Sequence, residues 1–429
     1  MSRDETRTLN PAPAASVRQE QPQPRSAWGT RLVILGLVLA ALNLRPAITS
    51  LGPLLEEVRT GLGMSGSVAG LLTSVPPLCF AVFGLTAPRL ARRFGPGAIV
   101  CAGMAAIAAG LFIRSYLGGT AGFLAASALA LMGIAVSNIL MPVIVKRWFP
   151  DRVGQMTGLY SMALALGTAL AAAATVPMTR ALGGSWQTGL AVWGTLAAVA
   201  VLPWLVLTTH SSTRAPKTRT TAQEQGGAPA PAPAPALSIT RSRTAWALAC
   251  YFGLQATAAY ITMGWMPQIF RDAGVSAGTA GVLLAVTMAM GIPLAFVIPR
   301  VASRMRNQGP IVVALGLCGL MGYAGLYLAP AAGAWAWALL LGVSNCAFPL
   351  ALTMIGMRAK SGAGVVRLSA FAQSTGYLIS IPGPLLVGVL YQHSGSWGLP
   401  IGLMAGLMVP QLVVGVLAGR NRTIEDELG

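Results

Sequence analysis

The sequence predicts an all-α membrane protein whose twelve transmembrane helices form two pseudo-symmetric six-helix bundles. Three observations support this fold class. Of the 429 residues, 55% are hydrophobic and only 9% are charged, whereas soluble proteins carry about 25% charged residues. Apolar runs of about 20 residues recur along the chain, and motifs of the first half reappear in the second. This composition excludes the soluble, fibrous, disordered and disulfide-rich classes.

The twelve apolar runs are the predicted membrane spans, numbered from first to twelfth in chain order. Each has about the 20 residues that a helix needs to cross a hydrocarbon core of about 30 Å. The runs are continuous and too long for the strands of a membrane barrel, so helices are expected. The predicted spans are 32–55, 67–87, 97–116, 122–145, 155–177, 188–208, 244–267, 278–299, 310–328, 335–357, 368–391 and 398–418.

The basic residues predict the orientation of the protein in a cell membrane. The chain has 29 Lys and Arg residues against 11 Asp and Glu residues, a net charge of +18. Most of the basic residues lie in the terminal segments and in alternate loops, as is typical of the cytoplasmic side. Both termini are therefore predicted to be cytoplasmic, and no nucleic-acid partner is needed to explain the charge. The arginines left in outer loops are Arg59, Arg114, Arg180 and Arg271.

Polar segments divide the chain. Residues 1–30 contain prolines and charges, which indicates a disordered cytoplasmic tail rather than a secretory signal peptide. Residues 209–243 include a run of alternating Ala and Pro, typical of an extended linker. Six-helix bundles are therefore expected at 31–208 and 244–418, with a second cytoplasmic tail at 419–429.

Short motifs recur in the same order in both halves, which indicates a duplicated six-helix unit. The matched positions are Gly63 with Gly274, Ser65 with Ser276, Gly70 with Gly281, Arg89 with Arg300, Asn138 with Asn345, and Gly158 with Gly376.

Two parallel units of six helices joined by a cytoplasmic linker resemble the major facilitator superfamily. The loop after the second span, Leu90-Ala-Arg92-Arg93-Phe94-Gly95, is similar to the loop motif of that superfamily, with Arg92 in place of the usual acidic residue. The resemblance implies a cytoplasmic gating loop comprising Arg89, Arg92, Arg93 and Gly95. Gly95 permits a tight turn, and the arginines hold the loop at the membrane face.

The first span carries a more specific resemblance. Asn43-Leu-Arg45-Pro46, followed by Ser50-Leu-Gly-Pro53, resembles the signature of the cyanate/2-nitroimidazole permease family within that superfamily. The resemblance implies a carrier of a small polar or anionic solute that works by alternating access. It also implies that the first, fourth, seventh and tenth helices line a central cavity, flanked by the fifth and eleventh. A single chain would be the transport unit. Protons are the candidate ion whose movement would drive transport.

Arg45 is the leading candidate in the sequence for a solute-binding residue. At 1.5 Å per residue it lies about 20 Å from the cytoplasmic edge of the first span, where a charge usually faces a cavity or a partner. Pro46 cannot donate a hydrogen bond to the Leu42 carbonyl, so the helix should kink or open there. A fixed guanidinium suits an anion or a planar polar ligand. The alternative is a structural arginine bonded to helix ends or to Asn43.

Other polar and aromatic residues within the spans are candidate solute contacts, placed at the cavity by the resemblance. Together with Arg45 they are Asn43, Asn138, Tyr160, Gln255, Tyr260, Asn345, Gln373 and Tyr377. For Asn138 and Asn345 the alternative is hydrogen bonding between helices. Trp265 is instead predicted to anchor the membrane interface. Glycines such as Gly158 and Gly167 are predicted to allow close helix packing.

Acidic residues are scarce within the spans. Glu56 and Glu57, at the outer end of the first span, are the nearest candidates for coupling, and the alternative is a solvated pair at the interface. His210 and His393 lie at opposite loop edges and are interpreted as polar surface. The five cysteines show no ligand-like spacing, so neither a metal site nor a disulfide is predicted.

The preferred function is a secondary active transporter of a small polar or anionic solute. The sequence has no Gly-rich loop ending in Lys-Ser/Thr, so direct use of ATP is not expected and no cofactor is predicted. The alternative is a multidrug or metabolite exporter on the same scaffold, which would favour an aromatic cavity with little fixed charge. A membrane enzyme would need clustered catalytic side chains within the spans, which this sequence lacks.

Overall fold

The computed structural model describes residues 27–209 and 239–428, and the regular structure in these ranges is helical. The predicted all-α class is thereby confirmed. Most of the predicted N-terminal tail and of the Ala/Pro linker lies outside the described residues, as does His210. Eleven of the helical segments described are long and apolar enough to cross a membrane.

The first six spans occupy Ala27 to Thr209. The first is broken into Ala27–Asn43, Pro46–Thr49, Gly52–Leu54 and Leu55–Gly61, and the next five are Gly66–Phe94, Pro96–Tyr116, Thr120–Trp148, Val153–Ala181 and Trp186–Thr209. Within this group the third span packs against the fourth and sixth, and the first packs against the fifth and sixth. Several of these helices are longer than the predicted apolar spans and extend beyond them at their ends.

The last six spans follow the same plan with more interruptions. They are Arg243–Asp272, then Ala277–Ala289 with Gly291–Arg304, Gly309–Leu328, Ala334–Asn345 with Ala347–Met357, Gly362–Ser380 with Pro382–Ser394, and Gly398–Ala418. The seventh span, Arg243–Asp272, is not among the eleven apolar segments. Its polar residues are nevertheless accommodated, because almost the whole stretch from Tyr251 to Phe270 is buried against other helices rather than facing lipid.

Residues matched by the internal repeat adopt matched conformations. Gly63 and Gly274 both have positive φ, at 61° and 90°, a region that glycine enters without strain. Two residues later, the Ser65 hydroxyl accepts a hydrogen bond from Val68 N, 3.3 Å away, and caps the second span. Ser276 caps the eighth span in the same way. Equal local chemistry therefore starts equivalent helices in both halves.

The repeated Gly70 and Gly281 lie where the two halves touch. A Cβ on Gly70 would come within 2.8 Å of the Leu385 carbonyl oxygen in the eleventh span. A Cβ on Gly281 would lie inside van der Waals contact with the Ala172 carbonyl oxygen in the fifth span. The second span thus crosses the eleventh, and the eighth crosses the fifth, at distances that only glycine permits.

The first span opens at the position predicted from Pro46. Its opening helix ends at Asn43, a new helix begins at Pro46, and Arg45 lies between them with φ −128° and ψ −26°. Pro46 leaves the Leu42 carbonyl without its usual helical donor. Gly167 of the fifth span packs directly on that carbonyl, so a neighbouring helix supports the break.

Substituting Gly167 with alanine should destabilise the protein. The added Cβ would overlap the Leu42 carbonyl oxygen, and because both groups belong to packed backbones one helix must move. Overpacking of this kind costs about 1–3 kcal/mol. Thermal unfolding in detergent should therefore show a lower Tm for Gly167→Ala.

Gly158 provides the matched control on the same helix. A Cβ there meets nothing within 4 Å, so the prediction that Gly158 serves close packing is wrong. Gly158→Ala should keep or slightly raise the Tm, because alanine favours helix. Equal Tm values for the two variants would contradict the proposed packing of Gly167.

The segment after the twelfth span packs against the protein. A short helix, Ile424–Leu428, carries Glu427, which accepts hydrogen bonds from the Ser242 hydroxyl at 2.6 Å and from Thr244 N at 3.1 Å. Glu425 accepts from Lys360 N at 3.0 Å. These carboxylates therefore tie the C-terminal segment to the start of the seventh span and to the loop before the eleventh.

Candidate solute-binding site

Arg45 lies at the break of the first span, half-buried among aromatic residues of other helices. Its guanidinium carbon is 6.0 Å from the centre of the Phe80 ring in the second span. Its charge also acts on the hydroxyl groups of Tyr260 in the seventh span and Tyr377 in the eleventh. Among the residues described, no carboxylate forms an ion pair with Arg45. The Arg45 cation thus lies beside an aromatic ring of the first half and near two tyrosines of the second, with no carboxylate ion pair among the described residues.

The aromatic residues around Arg45 continue into the second half as a connected cluster. Phe80 stacks on Tyr377 with ring centres 5.0 Å apart, and Tyr377 meets the edge of Phe252 at 5.2 Å. Phe252 in turn lies 5.5 Å from Phe348 of the tenth span. Sequence reasoning identified Tyr377 but missed the three phenylalanines, because a phenylalanine within an apolar span carries no signal that separates cavity lining from core.

Two of the predicted solute contacts hydrogen-bond to each other. Gln255 Nε2 donates to Asn345 Oδ1 at 2.8 Å and to the Asn345 carbonyl at 3.2 Å. Gln255 Oε1 accepts from Gln411 Nε2 of the twelfth span at 2.9 Å. This buried amide network joins the seventh, tenth and twelfth spans, which is the hydrogen-bonding alternative foreseen for Asn345. Gln411 was not identified from the sequence.

Asn43 bonds to backbone rather than to Arg45. Its amide nitrogen donates to the Leu39 carbonyl at 2.8 Å and to the Leu196 carbonyl of the sixth span at 3.3 Å. Gln373 donates to the Ser369 hydroxyl within its own helix at 2.7 Å. Asn138 and Tyr160 are half-buried on the fourth and fifth spans. Of the predicted residues, the structure thus brings Tyr260 and Tyr377 to Arg45.

Glu56 and Glu57 of the first span lie at the end of the helices opposite the arginine-rich loops. We call this end, which contains Glu57 and its partner Arg271, the Glu57 face. Glu57 accepts two hydrogen bonds from the Arg271 guanidinium of the seventh span, at 2.7 and 2.9 Å. Arg271 also donates to the Pro53 carbonyl at 3.0 Å. Glu56 pairs instead with Arg59, at 3.1 Å on its own helix. A bidentate ion pair thus links the two halves at this face.

Further contacts close the Glu57 face. Gln392 of the eleventh span accepts from both the Ser67 amide and the Ser67 hydroxyl at 2.7 Å. Trp265 is only 1% exposed, and its indole nitrogen donates to the Thr73 hydroxyl at 3.2 Å. The prediction that Trp265 anchors the membrane interface is therefore wrong, because the seventh span is enclosed by other helices. The Glu57–Arg271, Ser67–Gln392 and Trp265–Thr73 hydrogen bonds therefore join the halves toward this face.

The prediction that Arg114 lies in an outer loop is also wrong, because this residue belongs to the third span, Pro96–Tyr116, and is 1% exposed. An arginine near the end of an apolar run can be assigned to either environment when only the sequence is considered.

The predicted gating loop lies at the other end of the second span. Arg89, Arg92 and Arg93 are exposed, and the Arg93 guanidinium carbon is 5.2 Å from the centre of the Phe94 ring. Gly95 has φ +86° and forms the tight turn between the second and third spans. The five cysteines are unpaired, with Cys79 and Cys346 buried, and His393 is exposed.

Twelve spans in two similar sets, with a charged residue held at a helix break between them, define a multi-pass membrane carrier of small solutes. The family model described as Major Facilitator Superfamily matches residues 35–366. The chain belongs to the major facilitator superfamily.

Relatives confirm the resemblance seen in the first span. The chain is 32% identical over 401 residues to the 2-nitroimidazole transporter of Escherichia coli (strain K12), covering 92% of this chain and 96% of the relative. It is 31% identical to the cyanate transport protein CynX of the same organism, covering 88% and 95%.

Solved structures support the fold. A bacterial homologue of the human lysosomal transporter Spinster, described as inward-facing and occupied, matches with a TM-score of 0.70. The match covers 93% of this chain and 96% of that chain at 16% sequence identity.

Proposed function

We propose that this protein is a secondary active transporter that moves a small polar or anionic solute by alternating access, with Arg45 at the solute site. The observation that carries the proposal is the guanidinium at the helix break, which lies beside aromatic residues of both halves and forms no carboxylate ion pair among the described residues. A guanidinium presents several N–H donors in a plane, which suits a carboxylate-like, linear or planar anion. Phe80 and Tyr377 add flat apolar surface beside it.

Alternating access follows from how the site is built. The proposed units, 31–208 and 244–418 joined by the linker 209–243, each supply residues that surround Arg45. Rocking of one unit against the other would break the Glu57–Arg271 pair and the Ser67–Gln392 bonds, and so open the Glu57 face. Both termini would be cytoplasmic in a cell membrane, and one chain suffices as the transport unit.

Coupling would act through the Glu57 face. Glu57 pairs across the halves with Arg271, so protonation of Glu57 would weaken a contact that holds this face closed. Of the two predicted coupling residues, Glu57 is therefore the one proposed for this role. Glu56 is paired within its own helix and is the weaker candidate.

The names of the relatives indicate which solutes to try. One relative is named for cyanate, a small linear anion, and another for 2-nitroimidazole, a planar heterocycle. Both shapes suit a guanidinium beside an aromatic ring. The alternative, an exporter of bulky drugs, is favoured by the Phe80, Tyr377 and Phe252 cluster, because apolar ligands bind such surfaces.

A ligand screen on the purified protein separates the two functions. We expect cyanate, nitrate or 2-nitroimidazole to raise the Tm in detergent, because a ligand at one hundred times its Kd stabilises by about 2.7 kcal/mol. The same compounds should then show saturable counterflow in proteoliposomes. Stabilisation and transport of tetraphenylphosphonium alone would contradict the small-solute proposal and favour the drug exporter.

A further inference from the structure

The tenth span is interrupted next to a proline that removes a backbone donor. Its two helices are Ala334–Asn345 and Ala347–Met357, with Cys346 between them. Pro349 lies four residues after Asn345 and has no N–H, so it cannot donate to the Asn345 carbonyl as a helical residue would. A backbone carbonyl inside a membrane-spanning bundle needs another donor, because no bulk water is present to satisfy it.

Gln255 of the seventh span supplies that donor. Its Nε2 donates to the Asn345 carbonyl at 3.2 Å and to Asn345 Oδ1 at 2.8 Å, so both of its amide hydrogens are used. Its Oε1 accepts from Gln411 Nε2 at 2.9 Å, which fixes the orientation of the amide. Both glutamines are buried, so the bonds form in surroundings of low dielectric constant. The side-chain amide thus takes over the role of the backbone N–H that residue 349 lacks.

The internal repeat supplies a comparison in the first half. Asn138 and Pro142 have the same spacing in the fourth span, which continues as one helix through Thr120–Trp148. A proline at this spacing is therefore compatible with an unbroken helix, and the break in the tenth span depends on its surroundings. The Gln255 amide, which bonds to the freed carbonyl, is part of those surroundings.

The break determines where Phe348 lies. Phe348 is the second residue of the helix that follows the break, and its ring centre is 5.5 Å from that of Phe252. Phe252 precedes Gln255 by three residues, so both lie on the same side of the seventh span. Phe252 also meets Tyr377 at 5.2 Å, and Tyr377 lies within the field of Arg45. The amide network and the aromatic cluster beside Arg45 are therefore adjacent layers of one structure.

We propose that Gln255 is a positioning residue that replaces the backbone donor missing from Pro349, holds the break in the tenth span, and so keeps Phe348 against Phe252 in the aromatic cluster. In this role Gln255 acts through the helix and does not contact the solute. The inference rests on the proposed function for the use of the cluster in binding solute. Aromatic surface contributes more to a flat heterocycle than to a small linear anion, so Gln255 would favour 2-nitroimidazole over cyanate.

Hydrogen exchange measures the effect on the helix break without any solute. Gln255→Met keeps nearly the same side-chain length but loses the donor, so the amides of residues 346–348 should exchange about tenfold faster. Adding Pro349→Ala to Gln255→Met supplies a backbone N–H in place of the side-chain donor, and exchange should return toward the wild-type rate. The control is Gln268→Met, which alters a buried glutamine of the same span that bonds to Asp272 on its own helix at 2.7 Å. It should leave exchange at 346–348 unchanged.

Counterflow in proteoliposomes measures the effect on solute binding. We expect Gln255→Met to raise the KM for 2-nitroimidazole by about threefold to tenfold, as for one lost aromatic contact. The KM for cyanate should change by less than about twofold on the same argument. A protein that is merely destabilised would instead lower Vmax for both solutes and leave each KM unchanged. Pro349→Ala in the Gln255→Met background should restore the KM for 2-nitroimidazole.

The outcomes separate this role from the proposed function. Faster exchange at 346–348 and a selective rise in KM for 2-nitroimidazole, both reversed by Pro349→Ala, support the positioning role. Unchanged exchange in Gln255→Met overturns it, as does faster exchange that Pro349→Ala does not reverse. Equal increases in KM for both solutes also overturn it and make Gln255 a direct solute contact.

A wild type that transports neither solute contradicts the proposed solute class, whereas the exchange pattern still decides the role of Gln255 at the break. If Gln255→Met does not fold, Gln411→Met removes the bond that orients the Gln255 amide. It should produce the same faster exchange at 346–348, and unchanged exchange there would overturn the proposal.

Discussion

Replacing Arg45 with alanine or lysine should strongly reduce solute transport while leaving the protein folded. Arg45 is half-buried at the break between Asn43 and Pro46 and faces Phe80, Tyr260 and Tyr377 without a carboxylate partner. Alanine removes the charge. Lysine keeps it but loses the planar, multi-donor geometry that the guanidinium offers an anion. Loss of a charged hydrogen bond is worth about 1.5–3 kcal/mol, and hence uptake by proteoliposomes should fall by about tenfold to one hundredfold.

The matched control is Arg59→Lys. Arg59 belongs to the same span but pairs with Glu56 at the Glu57 face, where a partly solvent-exposed ion pair contributes about 1 kcal/mol or less. Arg59→Lys should therefore transport at nearly the wild-type rate. If both Arg45 variants fold and transport normally, Arg45 serves the helix break alone and the solute binds elsewhere.

Replacing Gly281 with leucine should hold the two halves apart at the Glu57 face and stop the transport cycle. A Cβ at Gly281 would overlap the Ala172 carbonyl of the fifth span and come within 3.5 Å of Pro53, so a leucine cannot be placed while this face stays closed. The contacts there are at backbone distance, and the least costly response is separation of the eighth span from the fifth. The closed conformation would then be lost, and a transporter that cannot alternate does not turn over.

Accessibility at the Glu57 face measures this effect. A cysteine introduced as Ser67→Cys, in a background without the native cysteines, replaces a residue that bonds to Gln392 across the halves. It should react with a membrane-impermeant maleimide several-fold faster in the Gly281→Leu protein, while counterflow is lost.

Gly278→Leu is the control on the same helix, because a Cβ at Gly278 meets nothing within 4 Å. It should leave both labelling and counterflow unchanged. A Gly281→Leu protein that transports at the wild-type rate would show that closure of the Glu57 face does not depend on this crossing.

The two predictions concern two features of the proposed transport cycle, the charge at the helix break and the close packing of the halves. Arg45 supplies the charge at the break, and Gly281 with Gly70 allows the halves to close beyond it. The Glu57–Arg271 pair lies on the same side, so charge and close packing act together there. Opening this face must overcome both kinds of contact, which is the reason that protonation of Glu57 and solute binding could each shift the balance.

Local signals predicted the helices, their turns and the break in the first span. Twenty-residue apolar runs become helices in lipid because every backbone group must be satisfied within its own segment. Gly95 took the positive φ of its predicted tight turn because glycine alone adopts that conformation without strain. Pro46 opened the first span because it lacks the backbone donor. Pro142 and Pro177 lie inside unbroken helices, so packing of Gly167 on the Leu42 carbonyl also contributes to this break. The helices and their turns depend on neighbours in sequence, so the sequence by itself determined them.

The partners of each span, by contrast, were decided by the tertiary structure. Phe80 contacts Arg45 from the next span, and Gln411 contacts Gln255 from 156 residues further along the chain. The apolar faces of these helices look alike in sequence.

Trp265 and Arg114 are residue types expected at a membrane interface, yet both are buried. The seventh span is enclosed by other helices, and Arg114 lies on the face of the third span that contacts Ala47 of the first span and Phe123 of the fourth. A helix repeat determines which residues share a face, whereas close packing of distant helices decides what that face touches.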